Sequence, residues 1–169
     1  MLGLPYGKVF LVPWTEEWEF EFMKEKQFIE KQIGEHILAI HHIGSTAIPH
    51  LSAKPIIDIA IELEDYKDGL KCIQKLELLN YKYRKEVLPE RYHFNKGEPR
   101  THQIHMYEQG NTYLIEQLQF RDYLIDNKTA RIQYEQLKIQ LSKANPNDKH
   151  QYAEDKTNFI KSVLAKLNV

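Results

Sequence analysis

Several features that would mark particular classes of protein are scarce in this chain. Its one cysteine, Cys72, excludes an internal disulfide and a cysteine-based zinc site, and it fits a reducing cytoplasm. No apolar run approaches the ~20 residues of a membrane-spanning helix, and the N-terminus lacks the segments of a signal peptide. A formal net charge of −1 argues against binding to nucleic acid mainly by bulk electrostatics. We therefore expect a cytoplasmic protein without a membrane partner, and the oligomeric state stays open.

The residues that are present are typical of a globular protein. The 169 residues, of which 42% are hydrophobic and 28% charged, suit one domain or a compact domain with a helical extension. Eight histidines and ten tyrosines are the unusual part of the composition. Histidine is a common metal ligand and proton carrier, so the surroundings of these side chains decide what chemistry is available.

Hydrophobic periodicity divides the chain into an α/β part and a helical part. An extended arm or short strand is predicted over residues 9–12, followed by a helix capped by Thr15 that ends near Gly34. The remaining predicted strands cover residues 36–43, 56–63, 81–88, 91–94 and 102–107, and the remaining predicted helices cover residues 65–79, 112–126, 130–144 and 149–167. We expect an α+β fold, with a mixed-sheet core over residues 1–110 and a helical region over residues 111–169 in one compact unit.

A turn of small residues followed by a lone acid is the most informative local pattern. Gly44, Ser45 and Thr46 interrupt the apolar pattern, and their backbone amides and hydroxyls can hold phosphate oxygens. Asp58 then lies within the apolar run IIDIAIEL, where a carboxylate is costly unless it is paired, hydrogen-bonded or bound to metal. Lys54 can neutralise a phosphate or pair with Asp58. An ordinary turn and a strand with one solvent-facing side would also produce this pattern.

The same stretch resembles the signature of a known family. The segment HIGSTAIPHLSAKPIIDIAI is similar to that of the GrpB family, which is part of the nucleotidyltransferase superfamily. Three later segments also match in order: RTHQIHM at 100–106, LQFRDYL at 118–124 and YEQLK at 134–138, with further similarity over residues 152–159. The resemblance covers residues 8–165. It implies a core like the palm of polymerase β and a nucleotide or phosphorylated small molecule as substrate.

The resemblance also implies catalytic carboxylates, and here the chain departs from the pattern. The superfamily uses a Gly-Ser turn, two acids at i and i+2 of a strand, and a third acid on a neighbouring strand, which together hold two Mg²⁺ ions. Asp58 matches the first acid, but Ala60 occupies the position of the second. Glu62 is the next residue on that face, about 6.6 Å further along the strand. His105 is the best substitute for the third acid if its strand lies beside Asp58.

This departure bears on the expected metal. One aspartate would bind Mg²⁺ or Mn²⁺ weakly unless the nucleotide supplied most of the ligands. Asp58 with His105, and with Glu62 or His42 as further ligands, would instead suit a borderline ion such as Zn²⁺. Each histidine can equally make ordinary hydrogen bonds. We therefore expect a divalent metal ion as cofactor, and its identity stays open.

Four basic residues complete the predicted ligand site. Lys54 follows the Gly-Ser turn, Arg100 precedes the histidine-rich strand, and Arg121 lies in a helix beside Asp122. Arginine can bind phosphate through two parallel hydrogen bonds, although Arg121 and Asp122 could also be a charge pair on a helix surface. Lys156 is included because it falls in a segment that resembles the family's C-terminal helix.

Three functions are compatible with these residues. In the first, the protein transfers a nucleotidyl group from a nucleoside triphosphate to an unidentified acceptor, with Asp58 and His105 as catalytic residues. In the second, it is an inert module that binds a nucleotide or phosphorylated metabolite. In the third, His42, Asp58 and His105 hold a transition metal. The sequence leaves the nucleotide, the acceptor and the presence of activity open.

Overall fold

The computed structural model describes residues 1–85 and 90–168. The elements in chain order are α1 (Glu17–Ile33), β1 (Ala39–Ile43), β2 (Ile57–Leu63), α2 (Asp68–Glu77), β3 (Tyr81–Arg84), β4 (Tyr92–Lys96), β5 (His102–Glu108), α3 (Thr112–Asp126), α4 (Lys128–Ala144) and α5 (Lys149–Leu167). Short 3₁₀ turns occur at Gly34–His36 and Ser45–Ala47. The predicted α+β class, with a mixed sheet followed by C-terminal helices, is confirmed.

The sheet has the strand order β1-β2-β5-β4-β3. The pairing of β2 with β5 is parallel, and the other three pairings are antiparallel. The parallel register sets Asp58 opposite Gln103 and Ala60 opposite His105. Because successive strand residues point to opposite faces, Asp58, Gln103 and His105 share one face of the sheet.

The other face of the sheet holds the main core. Alternate residues of β2, such as Ile59, are fully buried under α1 and α2. α1 contributes an apolar stripe that includes Trp18 and Phe22, and Cys72 of α2 is buried in the same cluster. Burial raises the pKa of the Cys72 thiol to about 11, so this cysteine is an unreactive core residue.

The C-terminal helices cover the opposite face and leave a gap beside it. Leu114 of α3 packs on Ile43 and Ala60, while Leu124 and Tyr134 pack on Ile48 and Leu51, which precede β2. The change from strands to helices occurs at Asn111, whose side chain caps α3 by accepting hydrogen bonds from two backbone amides. These contacts fix α3, α4 and α5 above the strand that carries Asp58.

The boundaries differ from the predicted ones where local sequence signals compete. The first helix begins at Glu17 rather than directly after Thr15, although the Thr15 hydroxyl still accepts a hydrogen bond from the Glu17 amide (3.3 Å). Of the two alternatives predicted for residues 9–12, the structure has the extended arm, which the Val12–Ala53 bridge joins to the core. His36 lies in a 3₁₀ turn rather than a strand. The end of the strand predicted over residues 81–88 lies outside the described residues.

Among the described helices, none combines the length and the hydrophobicity needed to cross a bilayer.

Candidate functional site

A cavity of about 360 Å³ lies between the sheet and the C-terminal helices. This volume is in the range of small-molecule sites. Nine of the residues singled out in the sequence line its wall: Gly44, Ser45, Thr46, Lys54, Asp58, Arg100, His105, Arg121 and Lys156. The structure therefore brings together residues from both parts of the chain, although their chemical roles stay predictions.

Gly44 lies in the cavity wall directly beside Asp58. Its backbone angles, φ 72° and ψ −176°, lie in a region that is essentially open to glycine alone. A Cβ atom at this position would lie 2.8 Å from Oδ2 of Asp58, so the glycine also makes room for the carboxylate. The chain turns here into the Ser45–Ala47 3₁₀ turn, which presents Ser45 and Thr46 to the cavity.

Two side chains of β5 orient the Asp58 carboxylate. Gln103 Nε2 donates a hydrogen bond to Asp58 Oδ1 (3.1 Å), and the Gln103 oxygen accepts one from His93 Nε2 (3.1 Å). The His105 ring stacks on His93 with its centroid 4.9 Å away, and its Nε2 lies 3.7 Å from Asp58 Oδ1. His93 thus supports the acid through Gln103.

The hydrogen bonding of His105 argues against its predicted role as a metal ligand. Arg91 can only donate, so its contact with His105 Nδ1 (3.3 Å) makes Nδ1 the acceptor. A neutral His105 then carries its proton on Nε2, the nitrogen that faces Asp58. This arrangement suits a donor to the carboxylate rather than a lone pair for a metal.

His42 and Glu62 are not brought to Asp58. The His42 ring lies on the α1 side of the sheet, where it stacks on Phe22 (4.6 Å) and its Nε2 donates to the Thr46 hydroxyl (3.0 Å). Burial lowers the pKa of His42 to about 4. The Glu62 carboxylate instead contacts His41 Nε2 at 2.6 Å, away from the cavity wall. The hypothesis of a His42–Asp58–His105 metal site therefore lacks its geometry.

The basic side chains give the cavity a positive character that the whole chain lacks. Within the described wall, five basic residues face two acids: Lys54, Arg100, Arg121, Lys138 and Lys156 against Asp58 and Glu116. Mutual repulsion adds to the cost of burying such charges. Burial first, and Lys156 next, lower the pKa of Lys54 to about 7. An anionic ligand would relieve this repulsion.

Arg121 and Thr46, which both belong to the predicted ligand site, also have structural contacts. Arg121 donates to the backbone carbonyl of His42 (2.9 Å) and pairs with Asp122 (2.8 Å), so it joins α3 to β1 as well as facing the cavity. The Thr46 hydroxyl donates to the Ile56 carbonyl (3.2 Å), which commits its proton to the fold. Both residues remain in the predicted ligand site, but some of their hydrogen-bond donors are already used within the fold.

Several residues of the cavity were missed in the sequence. Lys138 of α4 is fully buried, donates to the Ser52 carbonyl (2.5 Å), and has a pKa lowered by burial. Tyr152 of α5 lies close to two lysines, with Lys54 Nζ 4.2 Å and Lys156 Nζ 5.3 Å from its ring centroid. A lysine on the buried face of α4, four residues after the buried Tyr134, was the available signal for Lys138.

Unpaired polar atoms inside the wall also indicate a ligand. Within the described part of the chain, Arg100 Nε and Gln117 Oε1 are buried without a hydrogen-bond partner, and both residues line the cavity. Such atoms are uncommon in folded proteins because each one costs free energy. A bound polar molecule would supply the missing partners.

The residues around Asp58 offer few protein ligands for one divalent ion, and they do not fit two ions. In the described wall near the turn, Asp58 is the one carboxylate from β2, because position 60 on the same face is alanine. His105, which lies opposite Ala60, directs its protonated Nε2 at Asp58. A cation here would take most of its ligands from the phosphates of a bound molecule. The two-ion arrangement implied by the family resemblance is therefore incomplete.

Comparison with known proteins identifies relatives along nearly the whole chain. The family model described as GrpB protein matches residues 8–166. The UPF0157 protein YqkA of Bacillus subtilis is 38% identical over 160 residues, which are 94% of this chain but 47% of that protein. The Glutamate-rich protein GrpB of Alkalihalophilus pseudofirmus is 36% identical over 171 residues, covering 97% of this chain and 98% of that one.

Solved structures extend the comparison to the fold. The conserved protein GrpB from Enterococcus faecalis has a TM-score of 0.85 and 33% identity, covering 95% of this chain and all of that one. The Cid1 poly(U) polymerase with bound MgGTP has a TM-score of 0.53 at 7% identity, covering 78% of this chain and 44% of that chain. The second likeness shows the fold alone, and this chain spans less than half of that enzyme.

Proposed function

Because the chain belongs to the GrpB protein family and has a nucleotidyltransferase-like fold, we propose that its cavity binds a nucleotide or another phosphorylated small molecule. The observation that carries this proposal is the cavity wall itself. Five basic side chains and the Gly44–Ser45 turn surround one oriented carboxylate, Asp58, in a space of about 360 Å³. That combination suits an anion with several oxygen atoms.

Different residues of the cavity wall suit different parts of such a ligand. Lys54 and Lys156 both lie close to the Tyr152 ring, where they can neutralise phosphate groups. Asp58, with Gln103 and His105 behind it, can share a divalent cation with those phosphates. Structures of the distant neighbour Cid1 hold MgGTP and MgATP, which supports a magnesium nucleotide as the first ligand to test.

Nucleotidyl transfer is the activity that this ligand would allow. Asp58 would help to hold the metal-bound phosphates, and Arg100 and Lys54 would offset negative charge on the leaving pyrophosphate. The acceptor would enter beside the same carboxylate. We derive no step through a second metal ion, since the wall offers no second carboxylate at position 60.

An inert binding module is the second candidate, and Ala60 is the observation that favours it. Position 60 is fully buried under Leu114 of α3, so a ligand cannot easily supply a metal-binding group there. In this reading the cavity recognises the anion without turnover. The two candidates share the binding site and differ in their need for a metal and in product formation.

Thermal unfolding with a panel of nucleoside triphosphates, with and without Mg²⁺ or Mn²⁺, tests the shared part of the proposal. A ligand at about 100 times its Kd is expected to stabilise the protein by about 2.7 kcal/mol. The exposed Lys161 on α5 provides the matched control, because Lys161→Met removes a basic residue outside the cavity wall. An absence of stabilisation by every triphosphate would count against nucleotidyl transfer and against a module that binds these nucleotides.

Pyrophosphate release separates the candidates. An enzyme is expected to release pyrophosphate with a divalent ion and to lose this activity in Asp58→Asn, which keeps the shape of the side chain but removes its charge. A binding module is expected to release none in either form and to retain its ligand. Measuring binding and release on the same preparations prevents a folding defect from being mistaken for a catalytic one.

A further inference from the structure

A second group of titratable side chains is enclosed on the opposite face of the sheet. Glu25 belongs to the buried stripe of α1 and is 2% exposed, and His102 of β5 is 3% exposed. Glu21 lies one helical turn before Glu25 on the same side of α1. A buried carboxylate and a buried imidazole are costly unless something compensates for their loss of water.

The three side chains converge on one point. His102 Nε2 lies 3.4 Å from Glu21 Oε1 and 3.9 Å from Glu25 Oε2, and the three atoms all fall within 4.8 Å of one another. In a tetrahedral zinc site, bonds of about 2.0–2.1 Å separate neighbouring ligand atoms by roughly 3.3 Å. The two distances from His102 Nε2 are therefore close to what a common ion would require, and the two carboxylate oxygens lie within 4.8 Å of each other.

Neighbouring lysines leave one oxygen of each carboxylate directed at His102. Lys24 Nζ binds Glu21 Oε2 at 2.6 Å, while the contact with His102 is made by Oε1. Lys96 Nζ binds Glu25 Oε1 at 2.6 Å, and the Tyr81 hydroxyl donates to the same oxygen (3.0 Å). Hydrogen bonds of this kind orient carboxylates that bind metal ions.

The hydrogen bonds of Thr101 determine which nitrogen of His102 carries a proton. The Thr101 hydroxyl donates to the Lys96 carbonyl (3.2 Å), so its oxygen accepts from His102 Nδ1 (2.8 Å). In a neutral imidazole the lone pair then lies on Nε2. Within the described residues, that Nε2 is buried without a hydrogen-bond partner and faces two carboxylate oxygens.

We propose that Glu21, Glu25 and His102 bind a divalent transition-metal ion, Zn²⁺ in the first instance, between α1 and β5. Three electron-rich atoms face one another here, and a cation is the group that would bind all of them. One imidazole nitrogen and two carboxylate oxygens suit zinc, with water as the fourth ligand. The ion would fasten α1 to the sheet on the face away from the cavity, so this site is independent of the proposed function.

Protonation of His102 is the alternative to metal binding at this site. If His102 were an imidazolium, its Nε2–H would pair with Glu21 and no metal would be needed. Nitrogen chemical shifts of the His102 ring, measured near neutral pH on untagged protein freed of metal by a chelator, distinguish the two states. We expect a neutral ring protonated on Nδ1, with Nε2 shifting when Zn²⁺ is added. A doubly protonated ring that does not respond to Zn²⁺ would overturn the proposal.

Calorimetric titration with Zn²⁺ provides the second test. The wild-type protein is expected to bind one ion with rising thermal stability, and Glu21→Gln is expected to weaken binding at least about 100-fold. Glu21 is only partly buried, so this variant should fold, which circular dichroism without zinc would verify. Glu19→Gln, an exposed change on the same helix, and Asp58→Asn, a change in the cavity, should both leave this affinity unchanged. Binding that is lost in Asp58→Asn but kept in Glu21→Gln would place the metal in the cavity and overturn the proposal.

Discussion

The two faces of the sheet are built from the same strands but use polar residues in opposite ways. On the cavity face, His93, Gln103 and Asp58 form a chain of hydrogen bonds that ends at an open space. On the α1 face, Glu25 is enclosed within an apolar core, where its Oε1 accepts hydrogen bonds from Lys96 and Tyr81 and its Oε2 faces His102. The polar groups that end at the cavity are open to small molecules, whereas the enclosed ones mainly join α1 to the sheet.

The largest expected effect is on stability at the α1 face. Ile59 is fully buried, so Ile59→Ala should cost about 2–5 kcal/mol of unfolding free energy through lost burial and a residual cavity. The neighbouring change Asp58→Ala, on the cavity face, should stay within about 1 kcal/mol because its partners can bind water. Urea unfolding of both variants measures the contrast. Equal losses would show that the two faces do not differ as described.

The turn at Gly44 is expected to respond next most strongly. Gly44→Ala forces alanine into a glycine backbone conformation at a cost of about 1–3 kcal/mol and drives a Cβ atom against Asp58 Oδ2. Both unfolding free energy and ligand stabilisation should fall.

Gly7 offers a matched control for this prediction. Its φ is also positive, at 76°, but a Cβ atom there would meet nothing within 4 Å. Gly7→Ala should therefore lower the unfolding free energy without affecting the stabilisation that the ligand provides. If ligand stabilisation survived in Gly44→Ala, the close approach of the turn to Asp58 would be irrelevant to binding.

The smallest expected effect is a pH-dependent change in affinity. Because the pKa of Lys54 is lowered to about 7, this side chain should lose its charge as the pH rises through that value, and binding of tripolyphosphate should weaken about tenfold. Lys54→Met should bind weakly at every pH and lose this dependence, while Lys161→Met should retain it. Calorimetry across the pH range measures both.

The same shift has the opposite consequence for the protein without ligand. The unfolded chain holds the Lys54 proton up to the ordinary pKa of 10.5, so it binds more protons than the folded chain between about 7 and 10.5. The contribution of Lys54 to stability should therefore rise with pH in that window. An affinity that increased above about pH 7 would contradict the assigned role of Lys54.

Local patterns predicted the elements better than their ends. The apolar run IIDIAIEL predicted β2, and the stripe that includes Trp18 and Phe22 predicted the apolar side of α1. The start of α1 was less accurate because both Thr15 and Glu16 can precede a helix. His36 was misassigned because its apolar neighbours suit a strand as well as a 3₁₀ turn.

The candidate site was predictable only in part. Asp58 and Gly44 carry local signals, a charge in an apolar run and a break between strands. Glu25 also carried one, since it occupies the same apolar stripe as Phe22 and Ile29, but the sequence pattern did not reveal which residues surround it. Lys138 and Gln103 form hydrogen bonds with residues that are distant in the chain, Ser52 and Asp58. The sequence around each of them does not indicate these partners.

Taken alone, the order of residues determined an α+β protein with a small-residue turn, an acid on a buried strand and a set of helices after residue 111. It also carried the family resemblance. The parallel pairing of β2 with β5 was decided only in three dimensions, and with it the placement of His105 beside Asp58 and of His102 beside α1. Periodicity reports which way a side chain points within its own element, whereas the partner it meets depends on how distant elements pack.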